Sequence, residues 1–317
     1  MRDYYTVLAP VLTVFLVIGS GLVMRRLRVL RREGDQTIFH LVVNLLYPCL
    51  ILDSIIGNPA LRRADVSLTA PLLCVALVLV AVGLGWLLSR AAGLKYGVER
   101  RTFAATTGIN NYGYFAIPVI AALFQPEAVG VCFAYNMGSE ICLWTLIAWL
   151  IGGGGSPSAG WRGILNAPLI AIVGALLLNL LPAREYAPGF VWDTLALLGQ
   201  CAIPCGLLMV GASFSDFTVN GVGELFAARR VSVMALLARS LLMPLIIIAA
   251  AKFLPLPLML KQVLVVQAAM PAATFTVVMT QHYGGHVPTA LRVVLIGTVA
   301  GLVTIPLWIH FGLLWIR

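Results

Sequence analysis

Charge is what this chain has least of. Only 10% of its 317 residues are Asp, Glu, Lys or Arg, against 61% hydrophobic, and its mean hydropathy is +0.98. That balance excludes an ordinary soluble domain. Paired cysteines are lacking too. Cys49, Cys74, Cys132, Cys142, Cys201 and Cys205 all fall in apolar stretches and none belongs to a C-x-x-C pair. A disulfide framework or zinc site is therefore not expected, and the cysteines read as small buried side chains. Catalytic patterns are missing as well. There is no H-E-x-x-H pair and no Ser/His/Asp set, and the glycine run at 152–155 lacks the Gly-Lys-Ser/Thr ending of a phosphate loop. His282 and His286 around Tyr283-Gly284-Gly285 read as solvated loop residues rather than metal ligands. The chain is read as no enzyme, with no cofactor and no metal.

What is present is apolar sequence of membrane-spanning length, recurring along the whole chain. Ten spans are expected, at 6–24, 36–56, 69–89, 102–124, 128–151, 164–181, 194–214, 231–254, 260–281 and 293–315. The fold class is an all-α polytopic membrane protein. The first span carries its basic cluster behind it, whereas a secretory signal peptide carries it in front, so the span reads as a retained helix.

The net charge of +9 does not point to nucleic acid, because the basic residues sit in short loops. With the N-terminus outside, the cytoplasmic loops carry Arg25, Arg26, Arg28, Arg31 and Arg32, then Arg90, Lys95, Arg100 and Arg101, then Arg162, then Arg229 and Arg230, then Arg292. Arg2, Arg62, Arg63, Arg184, Lys252, Lys261 and Arg317 fall outside, and Arg62 and Arg63 weaken the bias. The bias favours both termini outside a cell membrane (inner or plasma).

Two spans are interrupted near their middles. One holds Gly108-Ile109-Asn110-Asn111-Tyr112-Gly113-Tyr114-Phe115-Ala116-Ile117-Pro118, the other Gln267-Ala268-Ala269-Met270-Pro271-Ala272-Ala273-Thr274-Phe275-Thr276. Proline and glycine free backbone groups that hydrocarbon cannot satisfy, so such breaks survive where they line a protein-enclosed cavity. Paired interruptions in matching halves are the sequence pointer to a transporter's substrate site. Tyr47-Pro48-Cys49 is answered by Ile203-Pro204-Cys205, 156 residues on, and the same offset carries Pro118 close to Pro271. The expected organisation is a five-helix repeat at 1–151, a cytoplasmic Gly/Ser linker at 152–163 and a second repeat at 164–317. An odd number of helices inverts the second repeat.

Five segments stand in order: Asn110 to Pro118; Asn166-Ala167-Pro168-Leu169-Ile170-Ala171; Ala202 to Ser213 around Pro204-Cys205-Gly206; Ala269-Met270-Pro271-Ala272-Ala273; and Gln281-His282-Tyr283-Gly284. Together they resemble the auxin efflux carrier family of secondary transporters, bacterial members included, over nearly the whole chain. Asn111, Gly113 and Pro118 match the family's Gly-Asn-x-Gly-(x)4-Pro pattern, while Asn110 stands where glycine is usual. The resemblance implies ten helices in a fold related to bile-acid/sodium symporters. Helices four and nine would cross at broken midpoints and hold an anion such as auxin, malonate or malate. A polar amide often follows the ninth-helix proline in that family. Here Phe275 occupies the region, between Thr274 and Thr276, and the substrate's identity stays open.

The expected substrate-binding residues are Asn110, Asn111, Gly113, Pro118, Pro271, Thr274 and Thr276. The amides can bond a carboxylate or merely satisfy freed backbone, and the threonines can line the crossing or bond their own helix. Glu140, Arg239 and Asp53 lie within spans, where a charge costs about 2.5–3.5 kcal/mol on insertion scales. They are candidates for coupling or charge balance. Glu140 is read either as the carrier of a coupling proton or as the partner of Arg239. Arg239 is read as neutralising Glu140 or attracting an anion, and Asp53 as reaching water near a helix end. The leading function is a secondary transporter of a small organic anion, auxin-like or a mono- or dicarboxylate, working by alternating access. The alternative is a membrane-embedded receptor using the same pocket without transport. The expected partners are the anion, a proton or sodium ion, the lipid bilayer and, as a candidate assembly, a homodimer.

Overall fold

With so few polar side chains, the backbone must satisfy its own hydrogen bonds, and the helix does so within one segment. The computed structural model describes residues 4–94, 97–153 and 165–316, without the side chains of 64–65 and 217–227. It is helical throughout, with no strand among the described residues beyond one isolated bridge. The linker beyond Gly153, together with Arg2, Lys95, Arg162, Arg317 and the start of the sixth span, lies outside the described residues.

The helices are α1 (Tyr4–Arg26), α2 (Arg32–Ile55), α3 (Ala64–Ala91), α4 (Val98–Gly108), α5 (Tyr112–Leu123), α6 (Glu127–Ile151), α7 (Ala167–Asn179), α8 (Gly189–Ala227), α9 (Arg229–Phe253), α10 (Leu258–Ala269), α11 (Phe275–His282) and α12 (Val287–Trp315). Seven of them, α1, α2, α3, α6, α8, α9 and α12, contain stretches long and apolar enough to cross a membrane. The protein is a multi-pass membrane protein. The other three expected spans differ from a plain spanning helix. Those at 102–124 and 260–281 are each split in two, as α4 with α5 and α10 with α11. The one at 164–181 is seen as the 13-residue α7. Asn166 caps α7 through the Leu169 amide (2.9 Å). At its other end Asn179 turns inward, accepting from the Gly57 amide (2.7 Å) and donating to the Asn58 carbonyl (3.0 Å).

Four helices carry π-helical turns: Val42–Leu46, Tyr112–Ala116, Leu143–Ile147 and Leu237–Leu242. Three of them run just ahead of a proline, at Pro48, Pro118 and Pro244, whose missing N–H disturbs the preceding turn. The carbonyl that Pro244 leaves without its α-helical donor is that of Ser240, and the Trp308 indole N–H takes it at 2.7 Å.

Without a hydrophobic drive between helices in lipid, close backbone approach sets the packing. The most extensive contact is α1 with α8. A Cβ added at Gly21 would collide with the Leu208 carbonyl, and one at Gly211 with the Ile18 carbonyl. The helix α3 packs on α4 and α6, α2 on α7 and α8, and α12 on α9 and α10. Leu68, Leu72, Leu79 and Leu87 of α3 stay exposed, as lipid-facing side chains do. The two split helices are buried about their breaks, over 102–111 and 263–273.

Candidate functional site

The break in the first half begins where α4 ends. Ile109 is extended (φ −110°, ψ 129°) and Asn111 is non-helical (φ −83°, ψ 74°). In the second half α10 ends at Ala269 and Met270 is extended (φ −73°, ψ 139°). Each break leaves backbone donors and acceptors unpaired, and the two breaks satisfy each other. The Asn111 amide donates to the Pro271 carbonyl (2.8 Å) and the Ala273 amide to the Ile109 carbonyl (2.9 Å). Asn110 and Ala272 form an antiparallel bridge between them. A proline at 271 costs this bridge nothing, because only its carbonyl is used. Pro118 plays a different part from the one expected. It lies inside α5, six residues past Tyr112 and just behind the π-helical turn Tyr112–Ala116, and the chain is opened earlier, at 109–111.

The two asparagines have different environments. The Asn110 side-chain amide donates to the Gln267 side-chain oxygen and, at 3.3 Å, to the Gln267 carbonyl. Gln267 in turn donates to Cys132 Sγ (3.2 Å), which also receives the Asn136 amide (3.4 Å). Ser139 Oγ donates to Asn136 Oδ1 (3.4 Å) and lies 3.1 Å from Cys74 Sγ. Asn110 is thus tied into a buried polar chain across α10, α6 and α3. Asn111 is only 4% exposed, yet its Nδ2 has no hydrogen-bond partner. A buried donor without an acceptor is rare and calls for an explanation.

Glu140, buried on α6, gathers three donors. Tyr112 Oη reaches Oε1 at 2.6 Å, and Trp144 Nε1 and Asn166 Nδ2 reach Oε2 at 3.2 and 3.4 Å. Its carboxyl therefore joins the break loop, through Tyr112, to the cap of α7. Phe275, at the start of α11, stacks on Phe39 (centroids 6.0 Å, planes 5° apart) and lies 5.8 Å from the Trp144 ring.

Arg239 is 4% exposed and sits in the π-helical turn of α9. The Glu140–Arg239 pair weighed from the sequence does not form. Among the described residues Arg239 has no carboxylate within salt-bridge reach, and its one hydrogen bond runs from Nε to the Met270 carbonyl (3.1 Å). It faces a small cavity with Asn110, Gly108, Tyr135 and the apolar Leu77, Val78, Met243 and Ile247.

The remaining expected residues are placed as follows. Asp53 bonds the exposed Arg184 at 3.2 Å. The Thr276 hydroxyl bonds the Ala273 carbonyl (2.6 Å), the backbone alternative for this residue. Thr274 precedes α11 without a side-chain capping bond. Gly113 leaves room for Tyr47, whose hydroxyl a Cβ there would meet. The structure brings Asn110, Asn111, Pro271 and Arg239 together. The sequence reading missed Gln267, Tyr112, Asn136, Trp144 and Asn166 as site residues. Gln267 and Asn136, amides within apolar helices and both 0% exposed, carry the signal that should have found them.

The arrangement offers amide and guanidinium donors at the joined breaks and a hydrogen-bonded carboxyl beside them. Such donors can hold an anion, and the carboxyl can exchange a proton. A family model described as "Membrane transport protein" matches this chain twice, over residues 6–159 and 155–309. An uncharacterized transporter of Methanothermobacter thermautotrophicus is 26% identical over 311 residues, covering 94% of this chain and 96% of that protein. An uncharacterized transporter of Methanocaldococcus jannaschii is 21% identical over 302 residues, with the same 94% and 96% coverage.

Proposed function

This chain belongs to the membrane transport protein family of the auxin efflux carrier type, and from that premise we propose that it is a secondary transporter of a small organic anion. The substrate class is an auxin-like acid or a mono- or dicarboxylate. The observation that carries the reading is the junction of the two breaks: reciprocal backbone bonds between 109–111 and 271–273, with the buried Asn111 amide left unpartnered beside them.

Counting α4 with α5, and α10 with α11, as single broken spans makes ten spans from twelve helices. They divide into two inverted repeats of five, with both termini outside the cell membrane. Alternating access moves one set of helices against the other around the junction, where the anion is held. Glu140 is the coupling group. As a carboxylate it accepts from Tyr112, Trp144 and Asn166, and once protonated it must give up one of those bonds or donate in turn. A proton taken up there changes what holds the break loop to α7. The driving force is an ion or substrate gradient.

The test is counterflow in proteoliposomes with radiolabelled acetate, malonate, malate and indole-3-acetate. Exchange of at least one acid supports the reading. Binding without flux favours a membrane-embedded receptor, and neither binding nor flux of any acid refutes the anion class.

A further inference from the structure

We propose that Arg239 is the cationic seat of the transported anion, its guanidinium receiving the substrate carboxylate beside Asn110 when the cavity there, about 10 Å³ and the size of a single water in this conformation, widens during transport. This deepens the transporter reading and rests on it. The other buried arginines of this protein have side-chain partners. Arg25 is paired with Asp35 and Asp216. Arg100 donates to Ser89 Oγ (2.8 Å) and lies over the Trp86 ring at 4.5 Å. Arg239 faces a cavity and, among the described residues, has one hydrogen-bond partner, the Met270 carbonyl. An uncompensated buried charge is costly, and an anion entering the cavity removes that cost.

The geometry suits a carboxylate. The Nε bond to Met270 holds the side chain against the second break, one residue before Pro271. The planar fork of arginine matches a carboxylate in two parallel bonds. The apolar Leu77, Val78, Met243 and Ile247 also line the cavity, and their low polarity leaves the charge interaction less screened than in water. A neutral amide of the same shape offers one acceptor oxygen and no charge where the acid offers two charged oxygens, so the site should separate an acid from its amide.

The test uses the purified full chain and four acids (acetate, malonate, malate and indole-3-acetate), with malonamide and indole-3-acetamide as neutral counterparts. Binding is read by calorimetry and folding by thermal unfolding. The parent should bind at least one acid and reject the amides. Arg239→Gln, which keeps a donor for the Met270 carbonyl, should bind that acid at least about tenfold more weakly and lose the acid–amide distinction. Arg239→Lys, keeping charge but not the fork, should fall between. A folded Arg239→Gln protein with parental affinity and selectivity overturns the assignment while leaving the transporter reading intact. A parent that binds no acid, or prefers the amides, overturns both. If Arg239→Gln does not fold, Arg239→Lys decides, and parental affinity in that variant overturns the proposal.

Discussion

Removing the Asn111 side chain separates a binding role from a structural one, because its neighbour provides an internal control. The Asn111 Nδ2 is buried without a partner, and its side chain makes no hydrogen bond among the described residues. The fold therefore loses no hydrogen bond in Asn111→Ala. What it loses in packing is offset by relief of an unsatisfied donor, itself worth about 1–3 kcal/mol. The backbone bond to Pro271 stays, since it uses the main-chain amide. Stability should change by less than about 1 kcal/mol. Binding should not be spared. Loss of one hydrogen bond to a charged ligand group costs about 1.5–3 kcal/mol, or roughly one to two orders of magnitude in affinity. Asn110→Ala should show the reverse emphasis. It strands the Gln267 side-chain oxygen in a buried chain and should destabilise by about 1–3 kcal/mol. Asn111→Asp should bind an anion more weakly still, since it places like charge at the junction. The assay is thermal unfolding beside calorimetry with whichever acid the parent binds. Parental affinity in both Asn111 variants, or equal destabilisation by Asn110→Ala and Asn111→Ala, would refute the reasoning.

Three further outcomes are expected. Glu140→Gln should flatten the pH dependence of flux in proteoliposomes while preserving fold, because the amide keeps a hydrogen-bonding group near Tyr112, Trp144 and Asn166 but carries no exchangeable charge; an unchanged pH profile would remove its coupling role. Trp308→Phe should lower thermal stability by about 1–2 kcal/mol by leaving the Ser240 carbonyl without its donor, and adding Pro244→Ala, which restores a backbone N–H four residues on, should recover part of that loss. Gly211→Ala should destabilise by about 1–3 kcal/mol, measured by the same unfolding assay, because its Cβ meets the Ile18 backbone rather than a movable side chain.

The breaks were legible because they are local. Glycine, asparagine and proline inside stretches of spanning length announce a disturbed helix wherever they occur. The position of the opening was harder to see. Pro118 marks the region, but the π-helical turn Tyr112–Ala116 absorbs its missing donor and the chain opens at 109–111 instead. Asp53 and Thr276 carried the right residue chemistry for a site. Their side chains are engaged elsewhere, by Arg184 and by the Ala273 carbonyl. Glu140 and Arg239 were found as intramembrane charges, which any reading of hydropathy exposes, but of the alternatives open for them the mutual pair does not form. Gln267 was passed over although it stands in the quoted motif, because an amide one turn before a break looks like part of the break itself.

Composition and the spacing of apolar runs were enough to establish a multi-pass helical membrane protein with an interruption in each half. Those properties depend on how each segment meets lipid, and lipid imposes its demand one segment at a time. Only the tertiary structure decided that the two breaks bind each other, that Asn110 belongs to Gln267 some 157 residues away, that Tyr112 reaches Glu140, and that Arg239 faces a cavity without a carboxylate. A helix that is apolar on every side carries no stripe to say which face turns inward. That rotation is set by close contacts between helices, such as Gly211 against Ile18, and by buried polar groups finding one another across the bundle.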